Sequence, residues 1–449
     1  MTSEPVEPRA GRSVDAQAPR PPGTSSPQHS SRASVTRLRR SLRALGPGIV
    51  TGAADDDPAG IATYSIAGAQ FGTGLLWLAP VTWPMMAAVQ AMCARVGMVT
   101  GGGLMDALRR KLPRPLLALV AASLFCANTF NMGADLAAMA DAAELLTSVD
   151  SRAWVVTFGL GLAGATMALD YSTIARVLRW LALALLAYVA TALLIGPDWG
   201  AVVRATFVPM LPRSREAWAL IVAVLGTTVS PYLFFWQSSE EVEEELARGR
   251  RRPEDRLGAT TGELRLRALD VGIGTFASNM AFFFIVLTTA LTLHPRGITH
   301  PETTTEVAAA LRPLAGEFAT ALYTIGIVGT GALAIPTLAG SAAYAVAELL
   351  GWREGMDEPP SSAPGFYAVF TLSIVLAMAM SFAELSPVRT LYWSAILNGL
   401  LAPFLLVAIL AVAADPVIMA GQPSSRTARV VVGLTAGAMF AAAVAMFVL

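Results

Sequence analysis

Between Gly46 and Gly72 the chain reads GPGIVTGAADDDPAGIATYSIAGAQFG, nearly apolar and long enough to cross a bilayer, yet with Asp55, Asp56 and Asp57 in a row ahead of Pro58 and Gly60. An aspartate at the centre of a spanning helix costs roughly 2.5–3.5 kcal/mol on insertion scales. These acids must therefore face protein, water or a bound cation. Pro58 brings no backbone N–H and crowds the preceding turn, and Gly60 has little helix propensity, so the helix is predicted to break here. A break inside a membrane strips carbonyls of their partners and is tolerated only where they line a buried cavity or a ligand. Acids beside bare carbonyls make a cation site.

The remaining composition agrees with a membrane setting. Of 449 residues, 54% are hydrophobic and 14% charged, and the mean hydropathy is +0.56, values of an all-α polytopic membrane protein. Formal net charge is zero, and nothing points to nucleic-acid binding. Cys93 and Cys126 both sit in apolar runs and are expected to be buried, inert thiols rather than a disulfide or a metal site. Residues 1–40, rich in Pro, Ser, Ala and Arg and lacking an apolar core, are expected to form a disordered cytoplasmic tail rather than a targeting signal. No HExxH, Ser/Lys or paired catalytic Asp pattern supports an intramembrane enzyme, and no cofactor is implied.

Eleven apolar runs follow, near 45–71, 74–97, 115–141, 153–170, 177–196, 216–240, 268–293, 314–350, 365–383, 387–413 and 428–449. The run at 314–350 is too long for one upright crossing and is expected to tilt or to extend into the cytoplasm at Glu348. With the N-terminus inside, outer segments hold Arg152, Arg204, Arg213, Arg215, Arg296, Arg312 and Arg389, and inner segments hold the other 25 of the 32 Lys and Arg. That bias orients the chain in the cell membrane with a cytoplasmic N-terminus and, after eleven spans, an extracytoplasmic C-terminus. Five spans on either side (repeats about 45–196 and 216–413, within a core of 41–413) form an inverted pair, with 428–449 as an added eleventh helix. Inverted repeats place broken helices at matching positions. The sixth span complies, because Gly226-Thr227-Thr228-Val229-Ser230-Pro231 is a run of poor helix formers ending in proline.

These residues resemble the Nramp family of divalent metal transporters. The matching pieces are GPG at 46–48, Asp57-Pro58, AGAQFG at 67–72, LLW at 75–77, TGGGLMDALRR at 100–110, the turn from Gly226 to Pro231, and Asn279 in SNM. The resemblance implies a LeuT-like (APC) fold with a metal site at the bilayer midplane between spans 1 and 6. The family motifs there are Asp-Pro-Gly-Asn and Met-Pro-His, with metal held by the Asp, the Asn, the Met sulfur and backbone carbonyls. Carried over, Asp57 keeps the acid and the carbonyls of Ala54 and Thr227 complete the set, while Gly60 replaces the Asn, Ser230 the Met and Tyr232 the His. A thioether favours transition metals, whereas hydroxyls and carboxylates suit hard ions. Loss of Met and Asn also removes volume, and a roomier oxygen-lined site suits magnesium, which dehydrates reluctantly. The expected substrate is a hard divalent ion, magnesium before manganese. The family's proton route uses acids and Arg or His on spans 3, 6 and 9. Asp135 remains, but Asn128 and Ala138 stand where acids are expected, Gln237 stands for a second His, and span 9 has no Arg. Proton coupling is thus expected to be weak or absent. A conventional proton-coupled manganese or iron symporter is the alternative.

Among individual residues, Asp57 is the expected direct ligand. Asp56, about 100° further around a helical turn, is open to three roles: second ligand, vestibule charge or internally paired acid. Asp55 is expected in the intracellular vestibule. Ser230 either ligates or satisfies carbonyls freed by the break, and Tyr232 either ligates or fills the space of an imidazole. Asp135, Asp270, Asn279 and Asn398 are lone polar groups in spans, candidates for function or for interhelical bonding. The run Glu240 to Glu245 reads as a solvated helix end. An amino-acid carrier of the same fold fits poorly, since three acids would repel a carboxylate. A non-transporting membrane sensor is a further alternative. The expected partners are the ion and the bilayer, and the oligomeric state is left open.

Overall fold

The computed structural model describes residues 47–168, 183–211, 214–383 and 386–449. The expected tail, the part of the fifth run before Leu183 with Arg176 and Arg179, and Arg213 lie outside the described residues.

Every one of the eleven apolar runs meets helix, and among the described residues no strand occurs. The first run is split into α1 (Pro47–Asp55) and α2 (Pro58–Phe71). Then come α3 (Leu78–Thr100), the short α4 (Leu104–Arg109), α5 (Arg114–Thr147), α6 (Ser151–Ala168), α7 (Leu186–Ile195) and α8 (Trp199–Phe207). The sixth run is split into α9 (Arg215–Thr228) and α10 (Pro231–Ala247). The chain continues through α11 (Thr261–Thr292), the one-turn helices α12 (Thr304–Ala308) and α13 (Arg312–Ala315), α14 (Ala319–Leu350), α15 (Pro364–Ser381), α16 (Pro387–Ala413) and α17 (Arg426–Val448). Among the described residues seven helical stretches are long and apolar enough to cross a membrane, and the pair Pro58–Leu75 and Leu78–Thr100, bent by 115°, makes an eighth. Of the others, α6 has 18 residues and α7 ten.

Both breaks have one cause. The residue before a proline is driven out of the helical region, and Asp57 (ψ 168°) and Ser230 (ψ 127°) are the extended residues ahead of Pro58 and Pro231. Each proline then starts the next half-helix, where a missing N–H costs nothing.

Small residues let the halves approach their neighbours. A Cβ on Gly226 of α9 would lie 2.1 Å from the Ala395 carbonyl oxygen and 2.3 Å from the Gly399 nitrogen of α16, and one on Gly399 would lie 2.2 Å from the Val222 carbonyl oxygen. These neighbours are backbone and cannot give way. Gly226→Ala is expected to push α9 off α16 at a cost of about 1–3 kcal/mol, read as an earlier thermal unfolding midpoint of the purified protein. An unchanged midpoint would mean that the two helices separate freely.

The run at 314–350 becomes turns around Gly316 (φ +54°) and then the 32-residue α14, whose Glu348 side chain is buried, accepting from the Asp106 N–H at 2.9 Å and the Ser239 hydroxyl at 3.1 Å. Two expectations need correction. Cys126 is exposed on the flank of α5 while Cys93 is buried, and both are free thiols. The acids after span 6 are not all solvated. Glu241 and Glu245 are buried: Arg267 of α11 reaches under α10, its Nε 2.7 Å from Glu241, its Nη1 2.6 Å from Asp270 and its Nη2 against Glu244, while Glu245 pairs with Arg248 and Arg250.

Candidate metal centre

The acids meet the two breaks differently. Asp57 caps α2, accepting the Gly60 N–H on Oδ1 at 2.7 Å, which leaves Oδ2 to face α5. Asp56 and Asp55 turn toward α11 instead, where the Ser278 hydroxyl lies 2.9 Å from Asp56 Oδ1 and 2.8 Å from Asp55 Oδ2. Asp55 is buried rather than placed in a vestibule, since α11 packs directly on α1. Asp56 also lines a cavity of about 340 Å³ with Gly52, Leu186 and Ser278.

Across the second break, the Ser230 hydroxyl turns back on its own helix, donating to the Thr227 carbonyl at 2.6 Å and lying 3.1 Å from that of Gly226. It satisfies carbonyls that the missing turn leaves open. Tyr232 links the two broken helices, its hydroxyl donating to the Ala54 carbonyl at 2.9 Å. Ala54 and Thr227 thus both offer carbonyls at the breaks, each already accepting one bond and each keeping a second lone pair. The Thr227 hydroxyl lies 3.1 Å from that of Tyr64.

The extra room expected from Gly60 is taken. A Cβ there would meet Tyr64 Cε2 at 3.3 Å and Asp57 Oδ1 at 3.4 Å, and Tyr64 and Tyr232 are both fully buried. The space beside Gly60 is occupied by Tyr64.

Asp135 joins Asp57 through Asn131, whose Nδ2 is 3.0 Å from Asp57 Oδ2 and 3.4 Å from Asp135 Oδ2. Neither Asn131 nor Tyr64 stood out in the sequence. Single Asn and Tyr residues in apolar helices carry no spacing pattern, and only the fold brings them to the break. Two further candidates sit on neighbouring helices, Asn398 beside Gly399, which packs against Gly226 of the second break. Asn279 joins α11 to α3, donating to the Ala79 carbonyl at 2.7 Å and accepting from Thr82 at 2.9 Å. Asn398, buried on α16, has no partner for its Oδ1. Asn128 donates to the Leu338 carbonyl at 2.9 Å and contacts Ser341 at 2.7 Å, a bolt between α5 and α14. Among the described residues no group of three His, Cys, Asp or Glu side chains is gathered to hold a metal. Any ion at the breaks must draw on carbonyl, amide and hydroxyl oxygens beside one or two carboxylates.

Curated relatives match this chain over two thirds or more of its length. The divalent metal cation transporter MntH of Deinococcus radiodurans is 29% identical over 320 residues, covering 68% of this chain and 69% of its own. MntH of Mycobacterium tuberculosis is 26% identical over 409 residues, 87% and 88% of the two chains. In fold, the crystal structure of the Eremococcus coleocola manganese transporter matches with a TM-score of 0.70 at 15% identity, over 90% of this chain and 86% of that one. Mhp1, a nucleobase-cation-symport-1 transporter in a closed conformation, matches with a TM-score of 0.50 at 14% identity, over 89% and 92%. The model of the natural resistance-associated macrophage protein-like family matches residues 48–449, nearly the whole chain, and the chain belongs to the Nramp family.

Proposed function

We propose that the protein carries divalent metal cations across the membrane through the paired breaks, binding a hard ion, magnesium before manganese, with weak or absent proton coupling. The observation that carries this is the makeup of the breaks: Asp57, the carbonyls of Ala54 and Thr227, and the hydroxyls of Tyr64, Tyr232 and Ser230 are all oxygen donors. Oxygen donors suit hard ions. Asp56, facing its own cavity beside Ser278, serves as an approach charge rather than a ligand. Weak coupling is supported by Asn128, which stands neutral and bolted to α14, and by the absence of arginine from α15. An inside-negative potential alone then drives entry, at about 4.6 kcal/mol per 100 mV for a divalent ion. In this reading the transport core is 41–413, α17 is an addition to it, and the N-terminus is cytoplasmic.

The test is uptake into liposomes holding a magnesium-sensitive dye and a pH dye under an inside-negative potential. Magnesium entry without acidification is expected. Manganese entry with acidification and no magnesium entry would overturn the proposal in favour of a proton-coupled symporter.

A further inference from the structure

Three of the oxygens expected around an ion already accept hydrogen bonds: Asp57 Oδ1 from Gly60, the Ala54 carbonyl from Tyr232 and the Thr227 carbonyl from Ser230. The remaining oxygen of Asp57 looks to another wall. Asn131 of α5 puts Nδ2 3.0 Å from Asp57 Oδ2 and 3.4 Å from Asp135 Oδ2. A side-chain amide has two N–H donors, so its positive end lies between two carboxylates brought from different helices. Asn131 and Asp135 are fully buried, and Asp57 is 3% exposed. Asp135 also keeps its second oxygen, Oδ1, buried without a hydrogen-bond partner. A buried acceptor with no donor is costly, and a cation would relieve it.

The other end of the amide shows how that cation is received. Asn131 Oδ1 lies 2.7 Å from the Ser394 hydroxyl of α16, and the same hydroxyl lies 2.8 Å from the Leu391 carbonyl. A hydroxyl has one proton and two lone pairs, so it cannot donate fully to both oxygens. With the amide turned over, Ser394 donates to Leu391 and accepts from Asn131 Nδ2, and Oδ1 swings round to face Asp57 and Asp135. The two ends of an amide are nearly equal in size, so the turn needs no extra room.

We infer that Asn131 is a cation ligand carried on α5: in the empty site its NH2 group holds Asp57 and Asp135 together, and on arrival of an ion the amide reverses and presents Oδ1. The helix α5 then supplies the amide oxygen that Gly60 does not. The inference rests on the reading of Asp57 as an ion ligand.

Two variants separate a ligand from a clamp. The purified full chain in detergent is titrated calorimetrically with magnesium alone and with manganese alone, with thermal unfolding as a check on folding. Asn131→Leu, lacking oxygen and donor, is expected to weaken binding at least about tenfold. Asn131→Asp keeps an oxygen toward the ion and loses the donor, and is expected to bind no more weakly than wild type. If Asn131 only clamps the two acids, an ion between Asp57 and Asp135 replaces the clamp and binding in Asn131→Leu stays at wild-type strength or tightens, which overturns the inference. Binding that is lost in Asp57→Ala but unchanged in Asn131→Leu also overturns it while leaving the Asp57 reading intact. Binding unchanged in Asp57→Ala overturns that reading itself. Should Asn131→Leu fail to fold, Asn131→Ala is titrated in its place with the same two outcomes.

Discussion

Asp57→Asn should leave a folded protein that no longer moves or binds divalent ions. Asparagine is as good an N-cap as aspartate, so the bond from the Gly60 N–H survives and α2 keeps its start. Asp57→Ala loses that cap as well, at about 1 kcal/mol. The charge is what distinguishes the two functions of the residue. In wild type, added magnesium or manganese should raise the thermal midpoint, because a ligand that binds only the folded state stabilises it in proportion to the logarithm of its concentration. In Asp57→Asn the midpoint should be flat against ion concentration and uptake should fall to that of empty liposomes. Ion-dependent stabilisation in Asp57→Asn would reduce Asp57 to a helix cap and move the ion elsewhere.

The largest loss of stability is expected from Arg267→Met. The guanidinium is 7% exposed and serves Glu241 (1%), Asp270 (0%) and the more exposed Glu244. Removing one side of a buried ion pair leaves the other charge uncompensated and costs about 3–5 kcal/mol. Asp270 also accepts the Gly48 N–H at 2.9 Å, so the same substitution loosens the start of α1. Thermal unfolding in detergent should show the drop. Adding Glu241→Gln and Asp270→Asn to the variant should restore much of it, because those changes remove the stranded carboxylates. A triple variant as unstable as the single one would show that the arginine's packing, rather than its charge, holds this corner.

The two breaks were legible because Pro58 and Pro231 come together with capping or poorly helical residues, Asp57 and the Gly226–Ser230 run, whereas Pro84, Pro336 and Pro403 stay inside continuous helices. The family likeness rested on the same local strings. The walls of the site were not legible. Asn131 and Asp57 are 74 residues apart, and Arg267 and Glu241 are 26 apart, so neither pairing leaves a mark on spacing. The acids after Ser239 read as a solvated end because a charge run looks the same whether water or a buried arginine satisfies it. Gly60 was read as lost volume, since nothing in a glycine's neighbours says that Tyr64, one turn on, fills the gap.

The half-helix α1 differs from every other element around the site. It is nine residues long, two of them glycine and two alanine, and Cβ atoms on Gly52 would lie 2.4 Å from the Gly274 backbone of α11. At Gly52 its contact with α11 is backbone against backbone, and every described side chain of α1 is buried. Its tethers are polar: the Gly48 N–H to Asp270 at one end, and Tyr232 to the Ala54 carbonyl and Ser278 to Asp55 at the other. Free energies of local opening follow such contact density. Lifting α1 would part backbone from backbone and undo three buried polar bonds at once, so its opening should cost more than the fraying of an exposed helix end.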